Sequence, residues 1–569
     1  MTPVASAART FLPVALRIED RNSVDAYFKE LHERSITSRH ELERWLKDLS
    51  ELDAALSEEG AWRYIRMTLD TRDEAVSKRY NAFVSEVLPE VEKWTDKLQR
   101  KLMADPHVKG LTGDGYPVYL RGIREQLRIF REANVPLQAE LRSMAQDYGT
   151  IMGAMNVQWN GETITLPKAG AILESTDRDE REAIYRLIAE RRAKDTDKLD
   201  ELFSSMVKKR QQVAVNAGFA DFRDYMYSAL GRFDHTPADA LAFHESVEKE
   251  VVPVMDRISR ERKAALGVAS LRPWDLAVDP LGRAPLRPFD SPDKLAELAI
   301  SVFEVLDPYF AECLREMRTM GRLDLGSRDG KAPGGYNYPL YETGPPFIFM
   351  NAVGTTDDVI TMVHEGGHAV HSFLTHPLPI TGFKNFPSEV AELASMSMEL
   401  LTMEHWHLIY TDPEELFRAK RDQLERVLSI LPWVATVDAF QHQIYTHPEW
   451  SISERSKAWV EIHQRFGGDV VDWSGLEKIQ ATLWHKQLHI FEVPFYYIEY
   501  AIAQLGAIGV WRNYKKNPAE ALRMYTEALK LGYTRTLPEI YAKAGISFDL
   551  SVTNVRELIS FVKEELDRI

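Results

Sequence analysis

A single cysteine, Cys313, stands in a chain of 569 residues. No intramolecular disulfide is possible, and that chemistry suits a reducing compartment, taken as the cytoplasm. No apolar run reaches the roughly 18 residues that a membrane-spanning helix needs. The opening stretch "MTPVASAARTFLPVALRIEDRNS" has no basic segment followed by a long apolar one, so no secretory leader is expected. Dense basic stripes are also missing. The net charge is −16, which repels nucleic-acid phosphates, so neither nucleic acid nor membrane is an expected partner. The acidity reads as a solubility feature. No repeat with a period of roughly 20 to 50 residues and no low-complexity tract occurs, which excludes a repeat architecture.

What is there is ordinary globular composition, 44% hydrophobic and 27% charged, long enough for several domains or one large two-lobed body. Most of the chain reads as helix. Residues 21–105 and 117–145 carry apolar residues three and four apart, as in "SRHELERWLKDLSELDAALSEEGAW". "MNVQWNGETITLP" (155–167) instead alternates around Asn160-Gly161 and predicts a β-hairpin. Helix resumes near residue 176. A proline- and aspartate-rich stretch (268–295) reads as an ordered irregular loop, because Trp274, Leu276 and Phe289 punctuate it. Residues 324–351 predict a few short strands, with "PPFIFMN" (345–351) as an edge strand. After Thr355 the pattern is helical to the end, with breaks expected near Pro432, Pro448, "FGGD" (466–469) and Pro518. The expected class is mainly α, with a small β element.

The chemistry concentrates in "TTDDVITMVHEGGHAVHSFL" (355–374). Threonines and aspartates suit a helix start. His364 and His368, four apart, project about 40° from one another on a helix and can share one zinc ion. Glu365 lies about 100° round from His364, beside the metal and not on it, where it can take a proton from water. Met362, Val363, Gly366, Ala369, Val370 and Phe373 form an apolar back. Gly366 falls within that back, and Gly367 on the flank of the metal face. Each glycine costs about 1 kcal/mol of helix propensity relative to alanine, which close approach of neighbouring elements would offset.

Two histidines leave zinc short of a protein ligand. "FPSEVAELASMSMELLTMEHW" (386–406) supplies Glu389, Glu392 and Glu399 among small residues that permit close helix packing. Glu392 is the expected third ligand, with Glu389 as the alternative. Glu399, two turns beyond Glu392, suits the task of orienting a ligand histidine through its ring N–H.

"HEGGHAVH" followed by "SEVAELASMSME" resembles the thimet oligopeptidase and oligoendopeptidase F family of zinc peptidases. "GKAPGGYNYPLY" and "PPFIFMNAVGTTDDVITMVHE" are similar to the oligoendopeptidase F branch. The likeness runs from about residue 115 to the end, is most specific over 324–400, and includes the hairpin. Gly366 departs from it, since the family often carries a bulkier apolar residue there. The resemblance implies a two-lobed helical zinc-peptidase body with a deep central cleft and the β element beside the zinc helix. It divides the chain into 1–115, a helical part of the lid; 116–200, a helical region with the hairpin; and 201–569, the catalytic domain.

It also implies a histidine and tyrosines facing the zinc. "HKQLHIFEVPFYYIEYAIAQLG" (485–506) supplies His489, Tyr496, Tyr497 and Tyr500. "VPFYYIEY" is similar to the "VPYIRY" stretch of angiotensin-converting enzymes. That match makes Tyr500 the oxyanion-side hydroxyl and Tyr497 a substrate binder, with Tyr496 still in play. The expectation is one Zn2+ per chain, held by His364, His368 and Glu392, with Glu365 as general base, in an endopeptidase acting on oligopeptides. An exopeptidase on the same fold would need a cation to capture the substrate C-terminus, and none stands out. A helical binding protein with a vestigial metal site is the rival from another class.

Overall fold

Helices dominate, and many begin where a side-chain oxygen can take up a free backbone N–H. Ser38 accepts from the Glu41 N–H at the start of the long Arg39–Leu69 helix. Thr355 and Asp358 form a reciprocal capping box ahead of the Thr356–Thr375 helix. Ser451 and Glu454 repeat the device before Ile452–Gly467. The structure is a computed structural model describing residues 9–569. The first eight residues, where the stretch read for a leader begins, lie outside the described residues. Among the described residues no helix is long and apolar enough to cross a membrane.

The chain forms two compact units, each assembled from three stretches. The first takes the chain up to Arg128, Leu286–Ala419 and Ala503–Phe548. The second takes Ile129–Pro285, Lys420–Ile502 and Asp549–Ile569.

Among the described residues two small sheets interrupt the helices. In the second unit β1 (Asn156–Trp159) and β2 (Glu162–Thr165) make the expected hairpin. Asn160 and Gly161, with φ of 49° and 84°, occupy the left-handed region that a two-residue turn of this kind requires. In the first unit β3 (Leu323–Gly326), β4 (Tyr336–Leu340) and β5 (Gly344–Ala352) form a sheet of order β3-β5-β4.

The expected edge strand, "PPFIFMN", is therefore the central one. β5 pairs in parallel with β3 and antiparallel with β4, and is buried along nearly its whole length. Its prolines do not mark an edge. Pro345 and Pro346 fall where the β4–β5 register shifts, so the missing N–H groups interrupt little of the ladder. On the sheet lie Ala61 and Ile65 of the Arg39–Leu69 helix, in one apolar cluster with Leu340, Phe347 and Phe349.

A second expectation also fails. Pro432 does not break the chain, because the Pro413–Thr446 helix runs through it. Leu431, Val434 and Ala435 are fully buried around it, and their packing outweighs the lost hydrogen bond. The proline-rich loop is ordered as expected where it lies in the second unit. Asp275 is buried and bonded to Arg178 and Arg181, with Trp274 buried beside it.

Candidate metal centre and donor cluster

The Thr356–Thr375 helix packs on β5 and against the Ser388–Met403 helix, all within the first unit. Close packing explains both glycines, against the Pro292–Leu306 helix for Gly366 and the Ser388–Met403 helix for Gly367. A Cβ on Gly366 would stand 2.7 Å from the Phe303 ring. One on Gly367 would meet the Ala394 carbonyl oxygen and the Ser395 Cα, each at 2.8 Å. That second contact is with backbone, so the two helices approach as closely as they do because residue 367 has no side chain.

The close approach brings His364, His368 and Glu392 together. One ligand atom from each lies within 4.8 Å of the others. Glu392 Oε2 is 3.3 Å from His364 Nε2 and 3.7 Å from His368 Nε2. Donors about 2.0–2.1 Å from a tetrahedral ion lie about 3.4 Å from one another, so the spacing and the N/O donor set fit zinc. His364 Nδ1 lies 2.7 Å from Glu399 Oε1. Donation from Nδ1 turns the lone pair of Nε2 towards the site. Ser395 Oγ donates to Glu392 Oε2 at 3.0 Å and fixes the carboxylate. Glu389 is buried on the same helix but is not part of the cluster.

The electrostatics describe a place built for a cation. Burial opposes a charge on His364, but Glu392 and Glu399 outweigh it and hold this imidazole well above its ordinary range. Burial likewise opposes ionisation of Glu392, yet the histidines draw it down to about 2. His368 goes the other way, pushed down to about 4 by burial. Glu365 is buried beside the cluster, and that burial lifts its carboxyl to about 7. Its backbone carbonyl accepts from Asn337 Nδ2 at 3.3 Å, which ties the start of the motif to β4.

His489, Tyr496, Tyr497 and Tyr500 gather in the second unit. The His489 ring centroid is 4.7 Å from that of Tyr497 and 5.9 Å from that of Tyr500. Tyr496 and Tyr500 are 5.5 Å apart. Tyr500 lies in the first turn of the Ile498–Lys516 helix, while Tyr496 and Tyr497 precede it. Phe495, just before them, has a φ of 65°, a left-handed conformation that strains a side chain of this size. It is gripped at both ends. Its N–H donates to Gln441 Oε1 at 2.8 Å, and its carbonyl accepts from buried Arg232, which also donates to Glu499 at 3.0 Å.

The tautomer of His489 follows from its neighbours. The Trp433 indole N–H can only donate, and its partner at 3.0 Å is Gln487 Oε1. The Gln487 amide nitrogen therefore faces His489 Nδ1, at 2.7 Å, and donates to it. Nδ1 is an acceptor, so the proton of the neutral ring is on Nε2. Burial pushes His489 down to about 4, which keeps the ring neutral near neutral pH. Its free nitrogen is thus an N–H donor.

Three contributors escaped the sequence reading. Gln487 sits two residues from His489 in "HKQLH", but its role depends on Trp433, far away in sequence. Asn337 lies in a strand with nothing to mark it. Ser395 is one of the small residues of its helix, although its position three after Glu392 could show the hydrogen bond.

A histidine pair completed by a glutamate from the next helix, in a mainly helical chain, is the donor arrangement of a metal-dependent peptidase. The comparisons agree. The model of peptidase family M3 matches residues 171–556, and that of the peptidase M3 N-terminal domain matches residues 11–130. The chain belongs to peptidase family M3. An oligoendopeptidase F homolog of Borreliella burgdorferi is 22% identical over 510 residues, covering 85% of this chain and 81% of that protein. Oligopeptidase PepF of Bacillus subtilis is 21% identical over 500 residues, covering 83% and 71%. Among solved structures, Pz peptidase A with an inhibitor superposes with a TM-score of 0.89 at 26% identity, over 96% of this chain and 97% of that one.

Proposed function

We propose that this peptidase is a zinc-dependent endopeptidase that cuts internal bonds of short, unfolded peptides. The observation that carries the reading is the His364–His368–Glu392 donor set with the buried Glu365 carboxyl beside it. When bound, zinc supplies Lewis acidity towards a carbonyl and makes water more acidic. Glu399 holds His364 in the tautomer that presents Nε2. Glu365 takes the proton of the attacking water and passes it to the leaving amine. Its burial beside the donor set places the carboxyl where it can take and return a proton.

His489 Nε2–H and the Tyr500 hydroxyl donate to the negative charge that develops on the scissile carbonyl oxygen. Tyr497, and Tyr496 beside it, bind the substrate chain. Residues 1–115 serve as part of a lid, 116–200 as the helical region with the hairpin, and 201–569 as the catalytic domain. The buried single thiol of Cys313 accords with work in the cytoplasm.

A quenched fluorescent peptide of about ten residues, long enough at about 3.3 Å per residue to span an extended site, tests the reading. Internal cleavage is expected, lost on chelation and restored by zinc, while a folded protein survives the same dose. Release of terminal residues only, or full activity after chelation, overturns it. Loss of zinc from Glu392→Ala but not from Glu389→Ala is the matching result for the ligand choice.

A further inference from the structure

The chain carries 86 acidic against 70 basic side chains, so a cation without a carboxylate beside it stands out. Lys486 is one. Among the described residues no carboxylate pairs with it or with Arg192, a charge that acts on it. Arg192 adds positive charge to the locality, and its buried Nε has no hydrogen-bond partner.

The geometry at Lys486 is fixed. Its Nζ sits 4.9 Å from the centre of the Trp433 ring. Trp433 is pinned by its hydrogen bond to Gln487, and Gln487 in turn holds His489. An aromatic face orients an ammonium without neutralising it. The side chain is open to solvent, yet burial by its surroundings pulls the ammonium down to about 8. Solvent contact combined with partial dehydration describes a cation that a ligand can reach and whose pairing there is worth more than on an open surface.

We propose that Lys486, seated over Trp433, is a specificity subsite that receives a carboxylate of the peptide substrate beside His489. The inference rests on the reading that His489 touches substrate. Lys486 and His489 are three residues apart, so their Cα atoms are separated by at most about 11 Å. An extended peptide covers that distance in about four residues. The carboxylate is thus either an acidic side chain within about four residues of the scissile bond or the C-terminal carboxylate of a peptide that ends there. With the second source, Lys486 would be the cation that terminus-directed cleavage requires.

The test uses the full-length, zinc-loaded enzyme and pairs of quenched peptides about ten residues long. One pair differs only in a C-terminal acid against an amide. The others differ in glutamate against glutamine at one position, scanned along the peptide. The native enzyme is expected to favour the carboxylate member of one pair about tenfold in kcat/KM, as a charge-assisted contact affords, chiefly through KM. Lys486→Arg keeps the ratio, Lys486→Met brings it near one, and Lys486→Glu inverts it. The pair that responds identifies the source of the carboxylate. A ratio near one for every pair in the native enzyme, or one unchanged by Lys486→Met, overturns the proposal. A His489→Ala variant with native kcat and an intact Lys486-dependent ratio defeats the assignment of His489 while leaving the carboxylate subsite standing.

Discussion

In the first unit His364 lies between two carboxylates, 3.3 Å from Glu392 and 2.7 Å from Glu399, and both favour a positive charge at the ring. In the second unit His489 has an amide at 2.7 Å and aromatic rings around it, and burial keeps it neutral. Two histidines of one chain are thus prepared for opposite tasks. The first is arranged to give up its Nε2 lone pair, the second to keep its Nε2 proton. What decides is the second partner of each ring, a carboxylate acceptor in one case and an amide donor in the other.

The sharpest way to break this contrast is at Glu365, the proton carrier proposed for the first cluster. Glu365→Gln should retain zinc, because residue 365 is not a ligand, and lose about 10²- to 10⁴-fold in turnover. Metal analysis beside single-substrate kinetics decides the point, and near-native turnover in a metal-replete variant refutes the role. The second cluster should be less sensitive. Gln487→Leu removes the donor that sets the His489 tautomer, and kcat should fall about 10- to 100-fold with KM less affected. Nitrogen NMR of His489 should show the proton no longer confined to Nε2. An unchanged tautomer would show that the amide does not set it.

Packing tests how the first cluster is assembled. Gly367→Ala drives a methyl into the backbone of the neighbouring helix, and a loss of about 1–3 kcal/mol with reduced zinc content is expected. Gly366→Ala meets only the tip of the Phe303 ring and should cost less. Urea midpoints of the metal-free proteins rank the two, and an equal or reversed order contradicts the helix-spacing account.

The next prediction concerns acid stability. His371, stacked on Phe386 at 3.7 Å, is pushed down to about 3 by burial. The unfolded chain binds this proton below about pH 6.5, and the native state does so only near 3. Stability should therefore fall as pH drops through that window. His371→Leu should flatten the acid limb by up to about 1.4 kcal/mol per pH unit. A limb of unchanged slope would contradict the assignment.

How far the sequence could be read follows the same division. The first cluster is legible because its geometry is local: four-residue spacing on one helix, then small residues and glutamates on the next. Asn160-Gly161 announces its hairpin for the same reason. The position of β5 was misread, because a buried apolar run with prolines looks alike at the centre and at the edge of a sheet until its partners are known. Pro432 was misread as a break because the packing that holds its helix comes from residues elsewhere. Gln487 was invisible, since the indole that orients it arrives from a helix outside its own stretch. The tyrosines were found through resemblance, and their register with His489 lies in backbone that no periodicity describes.

Phe495 carries a consequence for how this chain can change. Its strained backbone is held by Gln441 on one side and Arg232 on the other, with Glu499 bracing the arginine. Strain of this kind costs on the order of 1–3 kcal/mol and persists only while the grip is complete. Losing Arg232 or Gln441 would let the peptide relax, after which losing the other would cost little more. Substitutions at 232, 441 and 499 should therefore be strongly non-additive. Sequence drift at these positions would then come in correlated steps, and a replacement tolerated at one would depend on what already stands at the other two.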